Sequence, residues 1–153
     1  MSDARFEDGA GRPLRLRAED ADDLKVISTL LQDAVLEAGD VSWMPRRRRF
    51  AVLLNRFRWE ERGGPAERTR AVLEIGAVLR VQSQGVDPRE RDLVLSLLSL
   101  VFDPGEDGAG RMRLILAGDG EIALDVECVD VALSDVTRPY LAPSGKRPGH
   151  DVD

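Results

Sequence analysis

A chain of 153 residues fits one domain of ordinary size, and 42% hydrophobic with 33% charged residues is the composition of a folded, soluble protein. One cysteine, Cys128, excludes an intramolecular disulfide and a four-thiolate zinc site, and no apolar stretch reaches the roughly 18 residues of a membrane span. The net charge is −6, yet residues 40–70 carry +5 between flanks of −4 and −7, so a basic band lies inside an acidic protein.

Residues 1–12 lack the basic start and apolar run of a secretory signal, which predicts a flexible arm and a cytoplasmic protein. Leu14–Ala18 alternates apolar and charged residues and predicts a short edge strand. "EDADDLKVISTLL" predicts a helix capped by Asp20, with Asp22 and Asp23 at its positive end and Leu24, Ile27 and Leu31 as its apolar stripe. Gly39-Asp40 between two apolar runs then predicts a hairpin, against the competing reading of a helix continued to Ala38. Pro45 suits the second position of a type I turn, so a loop of Pro45–Arg48 pairs Met44 with Arg49 and Trp43 with Phe50. That register gathers Val41, Trp43, Phe50, Val52 and Leu54 on one face. Phe57 and Trp59 sit on the other parity, which predicts a bulge near Asn55 and Arg56 and turns Arg56 and Arg58 outward.

"ERGGPAER" (Glu61–Arg68) reads as a loop. Leu73, Ile75, Ala77, Leu79 and Val81 then alternate with polar neighbours and predict one strong strand. "LVLSLLSLVF" (Leu93–Phe102) is apolar on both parities, as a doubly buried strand or a short helix would be, and Asp103-Pro104-Gly105 ends it. Gly118-Asp119-Gly120 predicts a hairpin turn between two further strands. Val126, Val129, Leu133 and Val136 recur at helical spacing and predict a closing helix over about 127–136. Residues 138–153 are rich in Pro and Gly and predict a disordered tail. The expected fold is α+β, a single domain over residues 13–137. Its core is a curved antiparallel sheet or partly open barrel of six to seven strands with an N-terminal and a C-terminal helix, in a pleckstrin-homology-like outline.

The stretches "LQDAV", "RRFAVLLNRFRWE", "LSLLSLVF" and "LDVEC" resemble those of a family of short uncharacterised bacterial proteins, known only as a domain of unknown function. The resemblance covers residues 14–137, and "RRFAVLLNRFRWE" is its most specific part. It implies a single-domain bacterial protein of the cytoplasm and brings no catalytic residue with it.

The only histidine, His150, lies in the predicted tail, which removes Ser–His and Cys–His catalysis and the usual His-based metal sites unless the tail folds back. Asp20, Asp22 and Asp23 read as cap and dipole partners, "DPGEDGAG" lacks calcium-loop spacing, and "GEDGAGR" lacks the Lys-Ser or Lys-Thr of a phosphate loop. No cofactor or metal is expected. What remains is the arginine band: Arg46, Arg47, Arg48 and Arg49 at a hairpin tip, Arg56 and Arg58 nearby, and Trp59 as a stacking or anchoring ring. The blander reading is a solvated loop and a core tryptophan. The expected function is a non-catalytic binding or adaptor protein, a monomer or homodimer, using that edge to contact an acidic protein or a phosphate-bearing ligand. Acid–base chemistry by two carboxylates is the alternative from a different class. Weak nucleic-acid binding is disfavoured by the acidic remainder of the chain.

Overall fold

The computed structural model describes residues 13–59, 67–87, 89–136 and 140–141. The predicted arm, His150 and all but two residues of the predicted tail lie outside the described residues. The elements are β1 (Arg15–Ala18), α1 (Ala21–Leu30), β2 (Ala34–Glu37), β3 (Val41–Met44), β4 (Arg49–Phe57), β5 (Glu67–Ile75) and β6 (Val78–Gln84). They continue with β7 (Val94–Pro104), β8 (Gly110–Leu116), β9 (Glu121–Val126), β10 (Val131–Asp135) and β11 (Tyr140–Leu141). Tyr140–Leu141, predicted to be tail, pairs with Arg68 and Glu67 of β5.

The fold is therefore an antiparallel sheet with one α-helix among the described residues, not an α+β domain of pleckstrin-homology outline. The strand order is β1-β10-β5-β4-β2-β7-β8-β9-β6, with β3 and β11 attached to β4 and β5. Instead of needing a closing helix as cover, the sheet covers itself. One apolar cluster joins Phe50, Val52, Leu73 and Ile75 from one half to Leu97, Met112, Leu114 and Leu124 from the other.

Two chain crossings make this possible. The β5–β10 ladder ends at Ile75 opposite Val131, and the β6–β9 ladder begins at Val78 opposite Val126. Between them, the Gly76 N–H donates to the Asp130 carbonyl at 2.8 Å and the Glu127 N–H to the Ala77 carbonyl at 2.9 Å. Both chains thus turn the same corner together. Ala77 adopts φ 56, and a Cβ on Gly76 would collide with the Asp130 carboxylate. The single strand predicted over 71–82 is broken here, and its parity flips: Val78 is buried while Leu79 is 50% exposed.

The closing helix is overturned at the same place. Residues 127–130 form the corner, and Val131–Asp135 is strand β10, with Val131, Leu133 and Asp135 pointing inward. Helix α1 does form as expected: the Asp20 carboxylate accepts from the Asp23 N–H at 2.8 Å, and Leu24, Ile27 and Leu31 enter the core. Ser28 fastens it to β7, its hydroxyl accepting from the Leu100 N–H at 2.9 Å. The Gly39-Asp40 hairpin does not form. A 3-10 turn over Ala38–Asp40 only offsets the chain, so β2 and β3 follow one another along the same edge of β4. The doubly apolar run is a strand, β7, in which a bulge at Leu98 switches the inward residues from Leu95 and Leu97 to Leu100.

Candidate functional site

The β3–β4 hairpin has the register read from its sequence, with Met44 opposite Arg49 and Trp43 opposite Phe50. A 3-10 turn over Pro45–Arg47 leads into Arg48, which takes the left-handed conformation at φ 53. Its backbone is held on both sides. The Arg48 N–H donates to the Pro45 carbonyl at 3.1 Å, and the Arg48 carbonyl accepts from the Val78 N–H at 2.9 Å. The tip is therefore docked on the first residue of β6, beside the corner. Arg48 also meets Glu127 at 3.0 Å in a half-exposed ion pair.

Arg46 and Arg47 stand out differently: they are exposed and have no ion pair among the described residues. Arg49 is half-buried, and its Nη1 would lie 3.2 Å from a Cβ added at Gly76. Other arginines are engaged with carboxylates. Arg17 meets Asp130 at 2.8 Å and Arg111 meets Asp125 at 3.1 Å. The Arg113 guanidinium is pushed above its ordinary value by hydrogen bonds to Asp103 at 2.6 Å and Glu121 at 3.3 Å. Asp87, hydrogen-bonded by the Arg89 side chain and backbone, is held below the usual carboxylate value.

Arg56, Arg58 and Trp59 do not join the tip. No bulge interrupts β4, whose ladder with β5 runs unbroken from Phe50 to Phe57. Arg56 consequently keeps the inward parity of Phe50, Val52 and Leu54 and is fully buried. Its Nε and Nη2 clasp the Asp135 carboxylate at 2.9 and 3.0 Å across β5, where Thr69 is the partner of Arg56 and Ala71 that of Asp135. The same carboxylate accepts from the Leu14 N–H at 2.8 Å, so it also holds the residue leading into β1. Arg58 is buried against Glu67 at 2.7 Å. The Trp59 indole N–H donates to the Gln32 carbonyl at 2.9 Å, and its ring lies 5.0 Å from that of Phe57.

A cleft that sequence reasoning missed lies beside the tip. It encloses about 290 Å³ between Val41 and Trp43 of β3 and Val81 and Ser83 of β6, with Phe50, Leu95 and Ile122 as its floor. Arg91 stands at its end, exposed, with Nη2 donating to the Gly39 carbonyl at 3.2 Å. Trp43, expected to be core, is half-buried and forms one wall. Alternation marks Val81 as inward, but no local signal could reveal that β3 and β6, far apart in sequence, frame one opening. A smaller cleft of about 200 Å³ between β2 and β4 carries Glu37 and Asp40, both exposed, together with Arg70.

The pattern of the family described as "Protein of unknown function (DUF2948)" matches residues 14–150. The chain belongs to that family. Nothing among curated proteins and nothing among solved structures matches it. Among the described residues, no helix is long and apolar enough to cross a membrane, and no three His, Cys, Asp or Glu side chains converge as metal ligands.

Proposed function

We propose that this member of the family is a non-catalytic binding or adaptor protein of the cytoplasm whose contact edge is the β3–β4 hairpin tip, and whose partner presents an acidic protein surface. The observation that carries the reading is the pair Arg46 and Arg47, exposed and without carboxylate partners among the described residues, on a tip whose backbone is hydrogen-bonded to β6. Two guanidiniums carried on so fixed a backbone suit carboxylates on a partner, because the fork geometry of arginine matches them without reorganising the loop. Arg49, half-buried with its Nη1 beside Gly76, turns toward the corner and not toward that surface. Burial takes Arg56 and Arg58 out of that edge, and the hydrogen bond from Trp59 to Gln32 gives the indole a structural task. The exposed thiol of Cys128 suits a reducing compartment.

The test is affinity capture from cell extract with the full chain and with the double variant Arg46→Glu, Arg47→Glu. The partner set of the wild-type chain should fall at least tenfold in the variant and weaken between 50 and 200 mM salt, as screened charge contacts do. An unchanged partner set at both salt concentrations overturns the reading. Competition by inorganic phosphate, with no dependence on acidic residues of the partner, would instead assign the tip to a phosphate-bearing ligand.

A further inference from the structure

We propose that the cleft between β3 and β6 receives an extended segment of the partner protein, which adds as a strand to the open edge of β6 and sets an apolar side chain between Trp43 and Val81. This rests on the acidic-partner reading and specifies how such a partner would bind.

Three observations meet here. First, β6 pairs only with β9 among the described residues, and β3 only with β4, so each has one side unpaired. In an antiparallel strand, alternate N–H and C=O groups point to the unpaired side, where they can take up another chain. Secondly, the opening between these strands is apolar. Val41, Trp43, Phe50, Val81, Leu95 and Ile122 line about 290 Å³, with Ser83 as a small hydroxyl beside them. Open backbone along one wall with an apolar slot beside it is the arrangement that β-strand addition uses. Main-chain hydrogen bonds supply affinity and pockets for alternate side chains supply choice. Thirdly, the charges lie at the ends. The Arg48 carbonyl is bonded to Val78 at the start of β6, which places Arg46 and Arg47 there. Arg91 borders the cleft at the end where Val86 follows β6.

A segment with apolar residues at alternating central positions and acidic residues at its ends matches both features. A second copy of this chain, added through the same edge, would set its own Arg46, Arg47 and Arg91 against those positive ends. A long-chain fatty acid would use the slot but leave the strand edge unpaired.

The experiment selects a displayed library of random nine-residue peptides on the immobilised full chain. Enriched peptides should alternate apolar and polar residues at the centre and carry Asp or Glu at the ends. A synthetic peptide from the pool should slow amide exchange within residues 78–84 at least tenfold. N-methylation at one alternating set of its residues should abolish binding, while methylation at the other set leaves it unchanged, the signature of one paired edge. No enrichment, insensitivity to both methylation patterns, or binding that leaves exchange over 78–84 unchanged overturns the inference. So does slowed exchange that follows protein concentration alone, which assigns the edge to a second copy, and so does binding of dodecanoate in place of any peptide. If the Arg46→Glu, Arg47→Glu variant still loses its partners while β6 remains unprotected, the tip reading stands and only the strand-addition inference falls.

Discussion

Replacing Asp135 by alanine should be among the most damaging single changes in the protein. Arg56 is fully buried, and its two bonds to this carboxylate are 2.9 and 3.0 Å long. Coulomb attraction at an effective dielectric near 20 is about 4 kcal/mol for unit charges about 4 Å apart. Desolvating the two ions costs several kcal/mol each, so the pair as a whole is close to neutral against an apolar pair of equal size. Removing one partner is different: Arg56 stays in the core and loses both bonds to its counter-charge, a loss of about 3–5 kcal/mol when a buried pair is broken on one side. The Leu14 N–H loses its acceptor as well, worth about 1 kcal/mol. At about 2–4 °C per kcal/mol for a chain of this size, the midpoint of thermal unfolding should fall by roughly 8–24 °C. Urea denaturation followed by circular dichroism measures the free energy directly. The double variant Arg56→Met, Asp135→Leu should recover most of it, to within about 1–2 kcal/mol of the parent. A loss below about 1 kcal/mol in Asp135→Ala, or a double variant no better than the single one, would refute this account of the core.

Gly76→Ala should destabilise the protein by about 1–3 kcal/mol, because the added methyl meets the Asp130 carboxylate at the corner; thermal melting reads the effect. Asp20→Ala should cost about 1 kcal/mol in the same assay by removing the acceptor of the Asp23 N–H at the start of α1. Asp87 should titrate below the ordinary aspartate value in a carboxyl-detected NMR titration and move back toward it in Arg89→Ala. With the folded value depressed, any stability from this contact is present above the unfolded value and lost as the pH falls through the folded one; at a solvent-accessible surface site it is too small to move a denaturation midpoint.

Much of the local structure was legible. The Asp20 cap and the stripe of Leu24, Ile27 and Leu31 located the helix, because both follow from spacing alone. The turn residues located the hairpin around Gly118-Asp119-Gly120, and Pro45 with the alternation of Trp43, Phe50 and Val52 gave the register of the tip. The bulge expected near Asn55 and Arg56 failed because Arg56, read as outward-facing from its charge, holds an inward position. The helix expected after Val126 failed because Val136, counted in its stripe, is exposed, while Val131, Leu133 and Asp135 take the inward positions of a strand. The corner at Gly76-Ala77 was hidden by an alternation that continues through it without interruption.

For the candidate site, the sequence pointed to four consecutive arginines and was silent on how they divide. Their division depends on contacts made by residues elsewhere: Glu127 takes Arg48, while Arg46 and Arg47 are left to solvent. The cleft depends on β3 and β6 facing one another, and neither strand carries a trace of the other.

What the sequence determined by itself was the placement of caps, turns and most strands, since these respond to residues within a turn or a pleat of one another. What only the tertiary structure decided was which side of a strand is inside. Asp135 lies 79 residues beyond Arg56, and the two charges enter the core as a pair that no residue near either one in sequence announces.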